Sequence, residues 1–122
     1  MNLKKSFLFF CEKKKFEINK SQLEVIKNLE DYYQSNFDQN LFKKFFNDKK
    51  KKLGFYLAGG VGVGKTMILN FFFNEIKEKK LRLHFNEFMI KFHDFIFKNK
   101  NIDKENRIDN FVKNLSKEAE II

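Results

Sequence analysis

The apolar residues of this chain change their spacing around a cluster of glycines, and the change predicts where a strand and a helix lie. An apolar run over residues 53–58 is short enough to be a buried strand. After residue 64 the apolar positions recur at helical spacing, which predicts a helix over residues 65–79. The order is therefore strand, glycine loop and helix.

The rest of the pattern predicts further helices and two more strands. The additional helices are centred on residues 23–33, 39–48, 88–96 and 108–115. Their candidate N-terminal caps are Asn19 or Ser21, Asn86 and Asp103. Residues 81–85 read as a second strand, residues 121–122 as the start of a third, and residues 7–10 as a short strand or a hydrophobic tether. This alternation predicts an α/β fold in which helices cover a parallel sheet and a ligand binds at the carboxyl ends of the strands.

The glycine cluster reads Gly-Gly-Val-Gly-Val-Gly-Lys-Thr and fits the P-loop pattern G-x-x-x-x-G-K-[ST]. The predicted nucleotide-binding residues are Gly59, Gly60, Val61, Gly62, Val63, Gly64, Lys65 and Thr66. Glycine reaches positive φ at little cost, so the three inner glycines allow consecutive N–H groups to converge on an anion. The strand before and the helix after the loop argue against an ordinary glycine-rich turn.

The last two loop residues, Lys65 and Thr66, are expected to bind the phosphates and the metal ion that accompanies them. Lys65 is expected to reach the β- and γ-phosphates, and the helix that begins near Gly64 adds its positive end. Thr66 is expected to place its hydroxyl on Mg²⁺, an ion that keeps several waters and takes few protein ligands. The predicted ligands are therefore ATP and Mg²⁺, although the loop itself reads phosphates rather than a base.

Composition narrows the class of protein only slightly. The 122 residues form one small domain at most, with 18 Phe and neither Trp nor Pro. The net charge of +9 permits a nucleic acid or an anionic membrane as a partner, yet the bias towards Lys alone accounts for it. Cys11 is the one cysteine, which excludes an internal disulfide or a cysteine-based zinc site and indicates a reducing compartment. The apolar start is shorter than a signal peptide's core, and no stretch is long enough to cross a bilayer, so a cytoplasmic location is predicted.

Two sequence blocks give the chain a resemblance to the ZapE-type, or Afg-one-like, ATPases. The first is residues 54–67, which contain the P-loop. The second is His84-Phe85-x-x-Phe88-Met89 with His93 four residues further on, a segment characteristic of that family after its second strand. Residues 108–122 match more loosely, and Asn70 and Asn86 depart from what many members have. We interpret His84 and His93 as structural residues.

The resemblance implies a fold and a division of the chain. It implies a P-loop NTPase αβα sandwich with a parallel sheet, truncated before the Walker B strand is complete. Residues 1–50 would be a helical amino-terminal region and residues 51–122 the amino-terminal part of the ATPase domain. The acidic motif that holds Mg²⁺ and activates water would lie beyond Ile122, because Glu118 and Glu120 precede the apolar strand. No catalytic residue is therefore assigned, and we expect a fragment that hydrolyses no ATP by itself.

The resemblance also implies what the complete protein does. It would be an AAA+ ATPase that couples ATP hydrolysis to conformational work on a protein partner, in cell division or in quality control of a membrane-protein client. Such proteins are expected to form ring-like homo-oligomers, in the cytoplasm or at the periphery of the inner membrane. Two alternatives stay open: a helicase-loader-type ATPase that binds nucleic acid, which the positive charge suits, and a non-catalytic remnant that binds nucleotide or a partner only.

Overall fold

The computed structural model of the chain describes residues 2–37, 54–60 and 62–122. Two compact units make up the chain, Met1–Glu75 and Ile76–Ile122, and each is described by itself. The predicted helix over residues 39–48 lies outside the described residues. The predicted boundary between residues 50 and 51 falls there too and stays a prediction.

The first helix, α1, spans Leu3–Lys14, where the sequence predicted a short strand or a tether over residues 7–10. That prediction was wrong. The side chain of Asn2 caps the helix by accepting a hydrogen bond from the Lys5 amide at 2.9 Å. Lys15 ends it in the left-handed conformation, with φ of 57°. Helical spacing places three residues on one face, and all three are buried: Leu3, Phe7 and Cys11.

The second helix, α2, spans Lys20–Phe37 and confirms the predicted helix around residues 23–33. Asn19 acts as its cap, because its side-chain oxygen accepts a hydrogen bond from the Ser21 amide at 2.8 Å. Ile26 and Leu29 are buried on one face. Helices α1 and α2 pack against each other, and the Lys4 amide near the start of α1 donates to a Glu30 carboxylate oxygen at 3.2 Å.

The third helix, α3, spans Lys65–Glu75 and begins where the P-loop pattern predicts, although it ends four residues before the predicted end at residue 79. Its buried residues are Ile68, Phe71 and Phe72. The Phe71 ring packs edge-on against Phe7 of α1, with ring centroids 5.2 Å apart, and lies 5.3 Å from the ring of Phe10. The core of this unit is therefore enclosed by helices from both sides of the loop in sequence.

The second unit contains α4, Phe85–Lys98, and α5, Lys104–Glu118, which pack as a pair. Phe111 of α5 is its central apolar residue. Three rings of α4 surround Phe111, with centroids 5.8, 5.2 and 5.5 Å away: Phe88, Phe92 and Phe95. His84 occupies the N-cap position of α4, so the predicted cap Asn86 was wrong, whereas Asp103 stands at the N-cap of α5 as predicted.

The predicted α/β sandwich with a parallel sheet is wrong for this structure, because the described residues contain no strand or sheet. A single parallel bridge joins Lys80 and Ile121, supported by a 2.9 Å hydrogen bond from the Leu81 amide to the Ile121 carbonyl. Residues 54–60, read as the end of the P-loop strand and its approach to the loop, are irregular, and Tyr56 is 91 % exposed. The apolar runs are present in the sequence, but a strand also requires a neighbour that completes its ladder of hydrogen bonds.

Within the described ranges, no helix combines the length and the apolar character that crossing a bilayer demands.

Candidate nucleotide-binding site

The glycine loop is described at residues 59, 60 and 62–66, and Val61 lies outside the described residues. Two of its glycines adopt the left-handed conformation: φ is 80° at Gly62 and 84° at Gly64. Residues with a Cβ rarely adopt this backbone conformation, so glycine is required at both positions. Gly60 does not share it, although the sequence predicted this role for all three inner glycines.

The loop folds back on itself, as a cradle for a phosphate must. A Cβ built on Gly59 would lie 3.2 Å from a methyl carbon of Val63 and 3.7 Å from Cδ of Lys65. The start and the end of the loop are therefore close enough that a larger side chain at Gly59 would crowd the loop's far end. This close approach gives Gly59 a steric reason for being glycine.

Helix α3 starts at the end of this loop, and its first amides have no backbone partner among the described residues. The earliest amide of the helix region to bond back is that of Ile68, which donates to the Gly64 carbonyl at 3.0 Å. The amides of Lys65, Thr66 and Met67 donate no backbone hydrogen bond to another described residue. Unpaired amides and the positive end of the helix dipole together favour an anion at this point.

Lys65 turns back over the loop. Its ammonium group donates to the Gly60 carbonyl at 2.8 Å and also to the Gly59 carbonyl. Both acceptors are neutral, whereas hydrogen bonds between an ammonium and a phosphate are charge-assisted and roughly twice as strong. A bound polyphosphate would therefore compete well for Lys65, and the cation is already held beside the loop.

Thr66 is exposed and follows Lys65 in the first turn of α3. In the described part of the chain, no three His, Cys, Asp or Glu side chains form a group that could hold a metal ion. The residues present fit Mg²⁺ only as an ion carried in with the nucleotide, bound by phosphate oxygens, water and the Thr66 hydroxyl. Bound in this way, Mg²⁺ would neutralise phosphate charge.

The body of α3 packs into the core of the first unit. Ile68, Phe71 and Phe72 are buried, and the ring contacts of Phe71 with α1 fix the helix axis against the rest of its unit. Because the loop continues directly into this helix, the amides at the start of α3 are held in place by the packing of its apolar face. A preformed anion site needs such support, since mobile donors would have to be ordered on binding.

One contact to the loop escaped the sequence analysis. Gln22 of α2 donates a hydrogen bond from its side-chain amide to the Val63 carbonyl at 3.2 Å, across 41 residues of sequence. A signal for it was present, because Gln22 precedes Ile26 and Leu29 by four and seven residues. It is therefore a polar residue on the helical face that is otherwise buried.

The two histidines of the family-like segment both belong to the second unit and are exposed. His84 caps α4 by position only, because its side chain makes no capping hydrogen bond. The His93 ring lies 5.7 Å from the ring of Phe92. Neither geometry assigns a chemical role, and their interpretation as structural residues stays a prediction.

Comparison with known proteins identifies what the chain is similar to. A sequence profile described as AFG1-like ATPase matches residues 4–122. "Lactation elevated protein 1 homolog B" of Danio rerio is 41 % identical over 56 residues, which is 45 % of this chain and 11 % of that protein. "Cell division protein ZapE" of Escherichia coli K12 is 45 % identical over 42 residues, which is 34 % of this chain and 11 % of that protein.

These matches cover a small part of each relative. The aligned segments span 11 % of the length of both relatives, whereas the profile matches nearly the whole of this chain. No solved structure matches the chain.

Proposed function

Because the chain belongs to the AFG1-like ATPase family, we propose that its loop over residues 59–66 binds Mg·ATP. The observation that carries this proposal is the set of amides, where the loop enters α3, that have no backbone partner in the part of the chain that the structure describes. Membership of an ATPase family supports a nucleotide as the ligand, and the loop geometry supports recognition of its phosphates.

Each loop element has a distinct part in the proposed binding. Gly62 and Gly64 turn the backbone so that amides converge, and the amides at the start of α3 donate to phosphate oxygens. Lys65 exchanges its carbonyl partners for the β- and γ-phosphates and supplies the positive charge. Thr66 would complete the coordination of Mg²⁺ alongside water and the phosphates.

For the complete protein we propose ATP hydrolysis coupled to conformational work on a protein partner, carried out by a ring of identical subunits. Family membership supports hydrolysis, and a relative named for cell division supports a partner in that process. The cytoplasmic location and a client at the inner membrane are part of the same proposal. For this 122-residue chain we propose binding without turnover, because its sequence offers no acidic motif after a hydrophobic strand.

Replacing Lys65 tests the binding proposal most directly. We expect Lys65→Ala to weaken Mg·ATP binding about 10- to 150-fold, because a charge-assisted hydrogen bond contributes roughly 1.5–3 kcal/mol. Titration calorimetry on the 122-residue chain measures the dissociation constants. Lys13→Ala is the matched control, since it removes the same charge from the exposed end of α1 in the same unit. Equal affinities of wild type and Lys65→Ala would refute the assignment.

Turnover provides the second measurement. In a longer protein that contains this segment and hydrolyses ATP, Lys65→Ala should abolish hydrolysis, because the phosphates lose their cation. The 122-residue chain should release phosphate no faster than the buffer alone. Turnover by the purified chain would contradict our expectation that the hydrolytic residues lie outside it.

A further inference from the structure

Gln22 stands at an unusual place for a polar side chain. It lies on the face of α2 that carries Ile26 and Leu29, both buried, and α2 packs against α3. Its side-chain oxygen is buried and has no hydrogen-bond partner among the described residues. Burying an unpaired acceptor costs stability, so an apolar residue at this position would suit the packing better.

The other half of the Gln22 amide lies against the end of the glycine loop. Its nitrogen donates to the Val63 carbonyl at 3.2 Å, and a Cβ built on Gly64 would lie only 2.7 Å from the same nitrogen. No other assignment of the amide suits this contact, because a carbonyl oxygen requires a donor opposite it. One side chain from α2 thus touches both sides of the Val63–Gly64 peptide bond.

This contact controls the direction of a loop amide. A trans peptide is planar, and its C=O and N–H groups point in opposite directions. The described residues contain no cis peptide bond. Because Gln22 holds the Val63 carbonyl towards α2, the N–H of Gly64 must point away from Gln22. Gly64 has φ of 84°, and glycine populates positive and negative φ about equally, so its own conformational preference does not fix the direction of this peptide.

We propose that Gln22 is a positioning residue that fixes the Val63–Gly64 peptide so that the Gly64 N–H faces the bound phosphates. The inference rests on the proposed nucleotide binding and adds a determinant from outside the P-loop pattern. It also accounts for the side-chain oxygen that has no partner among the described residues, since the amide nitrogen orients the loop while the oxygen adds nothing to the stability of the fold.

The test compares binding with stability, because a purely structural role would change both in the same direction. Gln22→Met keeps the length of the side chain and removes the amide. Gln34→Met is the matched control on the same helix, because the Gln34 amide contacts Glu30 at 3.3 Å rather than the loop. Mg·ATP and inorganic tripolyphosphate are titrated into the 122-residue chain, and the thermal midpoint is measured without ligand.

We expect Gln22→Met to weaken both ligands by about the same factor, roughly 2- to 12-fold, the loss expected for one neutral hydrogen bond. Its thermal midpoint should equal or exceed that of wild type, and Gln34→Met should bind both ligands normally. Wild-type affinity in Gln22→Met would overturn the role of Gln22 and leave nucleotide binding standing. A lower affinity accompanied by a lower midpoint would overturn it in favour of a structural role.

A second variant tests the donor itself. Gln22→Glu keeps the shape but places a carboxylate against the Val63 carbonyl, so at pH 7 it should bind more weakly than Gln22→Met. Protonation restores a donor, and the ratio of its dissociation constant to that of wild type should fall as the pH is lowered from 7 to 4, through the ordinary glutamate pKa of about 4.3. A ratio that does not change with pH would contradict the proposal. A wild-type chain that binds neither ligand would overturn nucleotide binding, and the role of Gln22 with it.

Discussion

The two units of this chain differ in how completely they exclude water from their apolar residues. In the first unit α1, α2 and α3 enclose Leu3, Phe7 and Ile26, which have no exposed surface at all. In the second unit the best-buried aromatic residue, Phe111, retains 6 % exposure, and α4 contributes no buried residue. Three helices can surround a side chain, whereas a pair of helices shares a single face.

The difference bears on where the candidate site lies. The glycine loop belongs to the first unit, and the helix that follows it packs against α1 through buried aromatic contacts. Both units present large apolar side chains to solvent, so the difference between them lies in the interior: the side chains with no exposed surface belong to the first unit. A site built from main-chain amides depends on a backbone that does not move, so its placement in the better-packed unit is physically reasonable.

The largest effect is expected from the core of the first unit. Phe7→Ala should destabilise that unit by about 3–5 kcal/mol, because it removes a fully buried ring and leaves a cavity. Phe9→Ala is the control on the same helix; its side chain is 66 % exposed, so the change should stay within about 0.5 kcal/mol. Peptide-resolved hydrogen exchange measures the loss in α1 and α3. Equal losses of stability from Phe7→Ala and Phe9→Ala would contradict the claim that the buried core stabilises the first unit.

A smaller effect is expected in the second unit. Phe111→Ala should cost about 3 kcal/mol, the lower end for an aromatic core residue, since its neighbouring rings are already partly hydrated. Phe97→Ala, at a side chain that is 66 % exposed, serves as the control. Hydrogen exchange in α4 and α5 reports the change. A loss larger than that of Phe7→Ala in its own unit would reverse the ranking of the two cores.

The smallest effect concerns the pH dependence of the first unit. Burial raises the pKa of the Cys11 thiol above its ordinary value of 9.0, because the thiolate would lose its hydration. The stabilisation from a neutral thiol is complete below the pKa of the unfolded chain and is lost as the pH rises through the folded pKa. The free energy of unfolding, measured by urea titration at pH values from 7 to 10, should therefore fall more steeply with rising pH for wild type than for Cys11→Ala. Parallel slopes would contradict the raised pKa.

The helices show how far local signals reach. Caps and spacing were sufficient at Asn19, Asp103 and the start of α3, because these features act within a few residues of sequence. The same reasoning failed at residues 7–10, although Leu3, Phe7 and Cys11 repeat every four residues. The four consecutive apolar residues there are compatible with a short strand and with a buried segment of a helix. In the structure they belong to a helix that packs against α2 and α3.

By itself, the sequence determined the chemistry of the loop: its glycines, its cation and its hydroxyl are adjacent in the chain, so their pattern is readable without a fold. Only the tertiary structure decided whether the apolar runs form strands, because a strand depends on a partner distant in sequence. The described residues supply only the Lys80–Ile121 bridge, so no sheet forms among them. The tertiary structure also brought Gln22 to Val63 across 41 residues. Both outcomes depend on contacts between residues far apart in sequence, which no local pattern records.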